Sequence, residues 1–148
     1  MVESSVDAQV LNTADFSTAM MNNPQALRVL VVDDEPLIRW ALSETLAASG
    51  HTVTEAPDGA AARRAVRDQS HRPNVVLLDY RLPDSNDLGL LAMIRREAPD
   101  AQVILMTAHG TPDLAEGALT LGAYRVVSKP FEVDELATLV SEAHAFPR

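Results

Sequence analysis

Apolar positions along the chain follow two periods. Val29-Leu30-Val31-Val32, Val75-Val76-Leu77-Leu78 and Val103-Ile104-Leu105-Met106 are unbroken apolar runs. Short runs rich in β-branched residues predict strands buried on both faces, as in a parallel sheet covered by helices. Thr52-Val53-Thr54-Glu55-Ala56 alternates instead, which predicts a half-buried edge strand. Tyr124 to Ser128 supplies a fifth strand. Between the strands, apolar residues recur at helical spacing. Pro36 suits the first turn of a helix that carries Ile38, Ala41, Leu42, Thr45 and Leu46, with Gly50 as its terminator. Asp58-Gly59 opens an alanine-rich helix that runs to about Gln69. Leu88, Leu91, Ala92 and Ile94 mark a third helix, closed by Pro99-Asp100. Thr111, Pro112 and Asp113 read as N-cap, N1 and N2 of a fourth, which Gly122 ends. Glu132 to His144 forms the last.

Strand and helix thus alternate five times. With right-handed crossovers and the alternating second strand at an edge, the pattern predicts an α/β fold. It is a flavodoxin-like (βα)5 doubly wound parallel sheet with strand order 2-1-3-4-5. A length of 148 residues fits one domain. Residues 1–27 stand apart, with Glu3, Asp7 and Asp15 but no Lys or Arg. They are expected to be a flexible N-terminal extension ahead of a folded domain over 28–148.

Composition narrows the chemistry. The absence of cysteine excludes disulfides, thiolate catalysis and zinc–thiolate sites. His51, His71, His109 and His144 lack metal-ligand spacing and read as scattered surface residues. No apolar run approaches the ~20 residues of a membrane span. No basic stretch followed by an apolar one opens the chain, so a cytoplasmic protein with no membrane partner is expected. The net charge of −9 argues against direct nucleic-acid binding by this chain.

In an open parallel sheet, ligands bind outside the carboxyl ends of the strands. Here the first strand runs into Asp33-Asp34, the third ends on Asp79, the fourth on Thr107, and the fifth runs into Lys129. Side by side, these ends gather three carboxylates, a hydroxyl and an ammonium. A carboxylate such as Asp79 can attack phosphorus and form an aspartyl-phosphate. It also repels an anionic donor, and an oxygen-only acidic pocket suits Mg²⁺. Lys129 and Thr107 would then stabilise transferring oxygens. Each residue alone is ordinary, since an Asp after a strand is usually a turn or cap residue. Four strand ends in this order are not.

The pieces VLVVDDE (29–35), VVLLDYRLPD (75–84), VILMTAHG (103–110) and VVSKPF (126–131) together resemble a response-regulator receiver domain of two-component signalling. The resemblance implies that Asp79 is the phosphoacceptor. It implies Mg²⁺ held by Asp34 directly, Asp33 mainly through water, Asp79, and the backbone carbonyl of Arg81. Thr107 and Lys129 would contact the phosphoryl oxygens, and Lys129-Pro130 would be cis. The implied phosphoryl donor is a sensor histidine kinase or phosphotransfer protein, docking near Leu37, Ile38, Trp40 and the Pro130-Phe131 loop. The implied output or homodimer face is the fourth helix, fifth strand and fifth helix. Ile38-Arg39-Trp40-Ala41-Leu42, Leu82-Pro83-Asp84 and Met106-Thr107-Ala108-His109-Gly110 are most similar to the NtrC class of transcription regulators. That class adds an ATPase and a DNA-binding domain, and no G-x-x-x-x-G-K-[ST] loop occurs here. A signalling domain is expected, with at most self-phosphorylation and self-dephosphorylation rather than enzymatic turnover.

Two positions depart from the family. Asp87 stands where receivers usually carry Gly, and reads as a cap of the third helix. Val126 stands where receivers commonly carry a switching aromatic, while Tyr124 keeps an earlier ring. Val has a stiff χ1 and no ring to swing, so the signal is expected to leave through the fourth helix, loosened by Gly117. Arg81 and His109 are expected to tune the lifetime of the phosphate. A haloacid-dehalogenase-like Mg²⁺-dependent phosphatase would also use Asp, Thr and Lys, but wants a second Asp where Arg81 stands. A flavin site is disfavoured by the acidic Asp33-Asp34-Glu35-Pro36 loop. A degenerate pseudo-receiver would lack acids that are present here.

Overall fold

The computed structural model describes residues 26–145. Strands β1 (Arg28–Val32), β2 (Thr52–Ala56), β3 (Val75–Asp79), β4 (Gln102–Thr107) and β5 (Arg125–Ser128) form one sheet in the order β2-β1-β3-β4-β5. Every pairing is parallel. This is the topology the hydrophobic pattern predicts. Every residue of β3 and β4 is buried, and β1 is buried after Arg28. The edge strand β2 buries only Ala56 fully.

Helices α1 (Pro36–Ala48), α2 (Gly59–Arg67), α3 (Gly89–Glu97), α4 (Pro112–Thr120) and α5 (Val133–Ala145) cover the two faces. Successive strand residues point to opposite faces, and the cores divide accordingly. Val29, Val31, Leu77, Ile104 and Met106 meet Leu42 and Leu46 of α1 and Leu136 and Val140 of α5. Leu30, Val32, Val76, Leu78, Val103 and Leu105 meet Ala62 and Val66 of α2, Leu91 and Ile94 of α3, and Ala118 of α4. Among the described residues, no helix is long and apolar enough to cross a membrane.

Local chemistry sets the boundaries. Asp58 Oδ1 accepts the Ala61 N–H at 2.8 Å and caps α2. Thr111 Oγ1 accepts the Leu114 N–H at 3.1 Å and caps α4. Gly50 (φ +95°) and Gly122 (φ +103°) turn the chain out of α1 and α4 in the left-handed region, where glycine carries no Cβ penalty. Helix α2 stops at Arg67, short of the expected Gln69, because the Asp68 side chain accepts the Ser70 N–H and starts a 3₁₀ turn over Gln69–His71. Strand β5 begins one residue after Tyr124. The Lys129–Pro130 bond is cis, as the resemblance implied.

The expected extension meets the fold at its end. Residues 1–25 and 146–148 lie outside the described residues. Leu27 is buried in the core, and its N–H donates to His51 Nδ1 at 3.0 Å. His51 therefore corrects the reading of all four histidines as surface residues. Burial lowers its pKa and keeps it neutral. Trp40 of α1 is 60% exposed.

Candidate functional site

The parallel register carries the chemistry to one end of the sheet. Asp79 pairs with Met106 across β3 and β4, and Thr107 pairs with Ser128 across β4 and β5. Lys129, the residue after β5, donates its backbone N–H to the Thr107 carbonyl at 2.8 Å. Asp33, the residue after β1, donates its N–H to the Ala56 carbonyl at 3.1 Å, which pins it beside β2. All four strand ends singled out in the sequence thus share one crevice.

Its centre is Lys129. The ammonium donates to Asp33 Oδ2 at 2.9 Å, Glu35 Oε1 at 3.0 Å and Asp79 Oδ2 at 3.1 Å. Asp33 is fully buried, and its second oxygen accepts the Glu35 N–H at 2.8 Å. Asp79 is buried, and its Oδ1 accepts the Arg81 N–H at 3.2 Å. Asp34 is exposed, and no described residue hydrogen-bonds its carboxylate. Thr107 is buried, and its Oγ1 accepts the His109 N–H at 3.2 Å. That bond leaves the hydroxyl proton available to a ligand.

The electrostatics are those of too many acids around one cation. Burial, and then the charge of Asp33, push the Asp79 carboxyl up to about 6, against the pull of Lys129. Burial also draws Lys129 down. Hydrogen bonds to Asp33 and Glu35, with the charges of Asp33 and Asp79, outweigh it and hold the amine above the ordinary lysine range. The two directions agree, because three carboxylates share one ammonium. Carboxylate oxygens of Asp33, Asp34 and Asp79 lie within 4.8 Å of one another. A purely oxygen donor set with excess negative charge fits a hard divalent cation such as Mg²⁺.

Sequence reasoning assigned no role to Glu35 or Arg39. Glu35 adds the third carboxylate on Lys129. Arg39 donates through Nη1 to the Asp33 carbonyl at 2.7 Å and through Nε to Glu55 Oε1 at 3.0 Å. Both follow Asp34 within five residues, and that adjacency was the available signal. The Asp87 expectation holds in modified form. Its Oδ1 accepts the Gly89 N–H at 2.8 Å, one residue ahead of the N-cap position of α3. Val126 packs on the α2–α4 side of the sheet, whereas Tyr124 packs on the α1–α5 side with Arg125 over its ring at 5.3 Å.

Comparison with known proteins agrees with this geometry. Residues 29–141 match the response regulator receiver domain model. The DNA-binding transcriptional regulator NtrC of Escherichia coli (strain K12) is 41% identical over 115 residues, covering 78% of this chain and 24% of that protein. The nitrogen assimilation regulatory protein NtrX of Azorhizobium caulinodans is 37% identical over 119 residues, covering 78% of this chain and 25% of that protein. The chain therefore spans about a quarter of the length of these relatives. Among solved structures, NtrX from Brucella abortus superposes with a TM-score of 0.72 at 35% identity, covering 80% of this chain and 27% of that one. A CheY-like receiver domain protein from Methanospirillum hungatei JF-1 gives 0.75 at 24% identity, covering 80% and 94%, which speaks to the fold alone. The acidic crevice, the strand order and the family match converge, and the chain belongs to the response-regulator receiver domains, with NtrC- and NtrX-type regulators among its relatives.

Proposed function

We propose that Asp79 is the residue on which this receiver takes a phosphoryl group, from the phosphohistidine of a sensor histidine kinase or phosphotransfer protein, or from a small acyl phosphate. The observation that carries the assignment is the convergence of the Asp33, Asp34 and Asp79 carboxylates within 4.8 Å of one another, with the Lys129 ammonium bonded to Asp33 and Asp79. One carboxylate oxygen of Asp79 attacks phosphorus. The bond from phosphorus to the donor breaks, and its electron pair leaves with the donor. Lys129, already within bonding distance of Asp79, exchanges a carboxylate oxygen for a phosphoryl oxygen. The Thr107 hydroxyl donates to a second one. Mg²⁺, when bound, supplies the positive charge that lets an anionic donor approach. Asp34 would hold it directly, Asp33 mainly through water, and Asp79 and the Arg81 carbonyl would complete the protein's share. Asp34, whose carboxylate has no hydrogen-bond partner among the described residues, suits the direct role, and Asp33, with both oxygens bonded, suits the indirect one.

Donor docking is assigned to the α1 surface. Leu37 is 79% exposed beside Trp40, and an open groove of about 240 Å³ runs between α1 and the Pro130-Phe131 loop. Output is assigned to the α4–β5–α5 face, which would also serve a homodimer, and Arg81 and His109 at the rim to the phosphate's lifetime. At a net charge of −9, this chain is expected to reach nucleic acid through a partner or a further domain rather than directly. A cytoplasmic setting follows from the kinase partner.

Incubation with acetyl phosphate and Mg²⁺, followed by intact-mass measurement, tests the assignment. The wild-type chain gains one phosphoryl group and Asp79→Asn gains none. A gain that persists in the variant, or no gain with any donor, overturns the reading.

A further inference from the structure

The turn that follows Asp79 is anchored at two points. At its base, Leu82 is buried in the α2–α4 core. The Leu82 N–H donates to the Ser85 carbonyl at 2.7 Å, and the Ser85 N–H donates back to the Leu82 carbonyl at 3.2 Å. At its tip is Asp84, whose carboxylate reaches α2. Oδ1 accepts the Gly59 N–H at 2.7 Å, and Oδ2 accepts the Ala60 N–H at 3.0 Å. A helix start leaves several N–H groups unpaired, and Asp58 satisfies only that of Ala61. Asp84 therefore completes the cap of α2 from 25 residues away. The Gly59 amide foremost, with Ala60 and the charge of Arg63, holds the Asp84 carboxyl below the usual carboxylate range. A Cβ on Gly59 would lie 2.9 Å from Asp84 Oδ1, so a larger residue there must push the carboxylate off its two amides. Asp84 is itself exposed, so core packing does not account for the clamp.

Two residues, Tyr80 and Arg81, join the acceptor to this turn. The Arg81 N–H is on Asp79, and the Arg81 carbonyl leads directly into Leu82. Resting on the assignment of Asp79 as acceptor with Mg²⁺ beside it, we propose that Asp84 is a positioning residue. By clamping the Leu82–Ser85 turn to the start of α2, it fixes the Arg81 carbonyl for Mg²⁺ before the ion arrives.

Mg²⁺ affinity of the unphosphorylated 148-residue chain is the readout, followed by the amide shifts of Asp33, Asp79 and Arg81. Asp84→Ala is expected to weaken Mg²⁺ about fivefold, the factor that losing a helix cap represents. Its phosphorylation rate should return to the wild-type value at saturating Mg²⁺. Asp84→Asn keeps one acceptor oxygen and should recover part of the affinity. Gly59→Ala attacks the clamp from the other side while favouring the helix. It should lose Mg²⁺ affinity with no fall in melting temperature, and the double variant should bind no more weakly than the worse single one. If Asp84→Ala fails to fold, Gly59→Ala decides. Variants that bind Mg²⁺ like the wild type, or losses that add in the double variant, overturn the clamp. A wild-type chain that neither binds Mg²⁺ nor takes a phosphoryl group overturns the acceptor reading instead.

Discussion

Asp79 carries an energetic cost that the proposed acceptor role would explain. Burial and the neighbouring Asp33 raise its pKa from 3.8 to about 6 in the folded chain. A raised carboxyl pKa means that the folded state binds the proton more tightly than the unfolded state. Without metal, that contribution is fully present below pH 3.8 and is lost as pH rises through about 6. At neutral pH the ionised residue opposes folding. Asp79→Asn is nearly isosteric and removes the charge, so the metal-free variant should melt above the wild type, with a stability gain of up to about 3 kcal/mol at roughly 1.4 kcal/mol per pKa unit. Added Mg²⁺ should raise the wild type and leave the variant nearly unmoved. Thermal melts at neutral pH, with and without Mg²⁺, decide it. A variant that melts below the metal-free wild type would show that the Lys129 bond outweighs the crowding.

At the scale of elements, α4 is the weakest-held helix. It buries only Ala118, while α1 buries Leu42, Ser43 and Leu46, and α3 buries Leu90, Leu91, Met93 and Ile94. Gly117 adds ~1 kcal/mol of intrinsic cost relative to Ala, and a Cβ there would sit 3.2 Å from Leu88 Cδ1. With no large ring at Val126 to swing, α4 is the element free to report the site. Its amides should exchange with solvent faster than those of α1 and α3. Their shifts should move when beryllofluoride and Mg²⁺ occupy the crevice, and unchanged α4 shifts would contradict this route. The strands were legible because burial on both faces leaves unbroken apolar runs, and the site because a parallel register brings strand ends together. The Asp84–Gly59 clamp and the burial of His51 against Leu27 were not legible. Both join residues more than 20 positions apart through one or two hydrogen bonds, which leave no periodic trace. The early stop of α2 at Arg67 turns on one side chain, Asp68, choosing Ser70.

Across the whole molecule, positive charge is carried almost entirely by arginine. Lys129 is the only lysine in the sequence, and it is the residue held by Asp33, Glu35 and Asp79. The chain thus has a single side-chain amine, and its fold keeps that amine protonated and shielded. Acylation requires the neutral amine, so an amine-directed acetylating reagent at neutral pH should leave Lys129 unmodified in the folded chain. It should modify Lys129 once the chain is unfolded, with peptide mapping as the check. Acetylation of Lys129 in the folded, metal-free chain would contradict the strength of the three-carboxylate grip. The same protection matters for any acyl phosphate donor, which can deliver either of two groups. By keeping its one lysine unreactive, the crevice commits such a donor to giving up phosphorus rather than carbon.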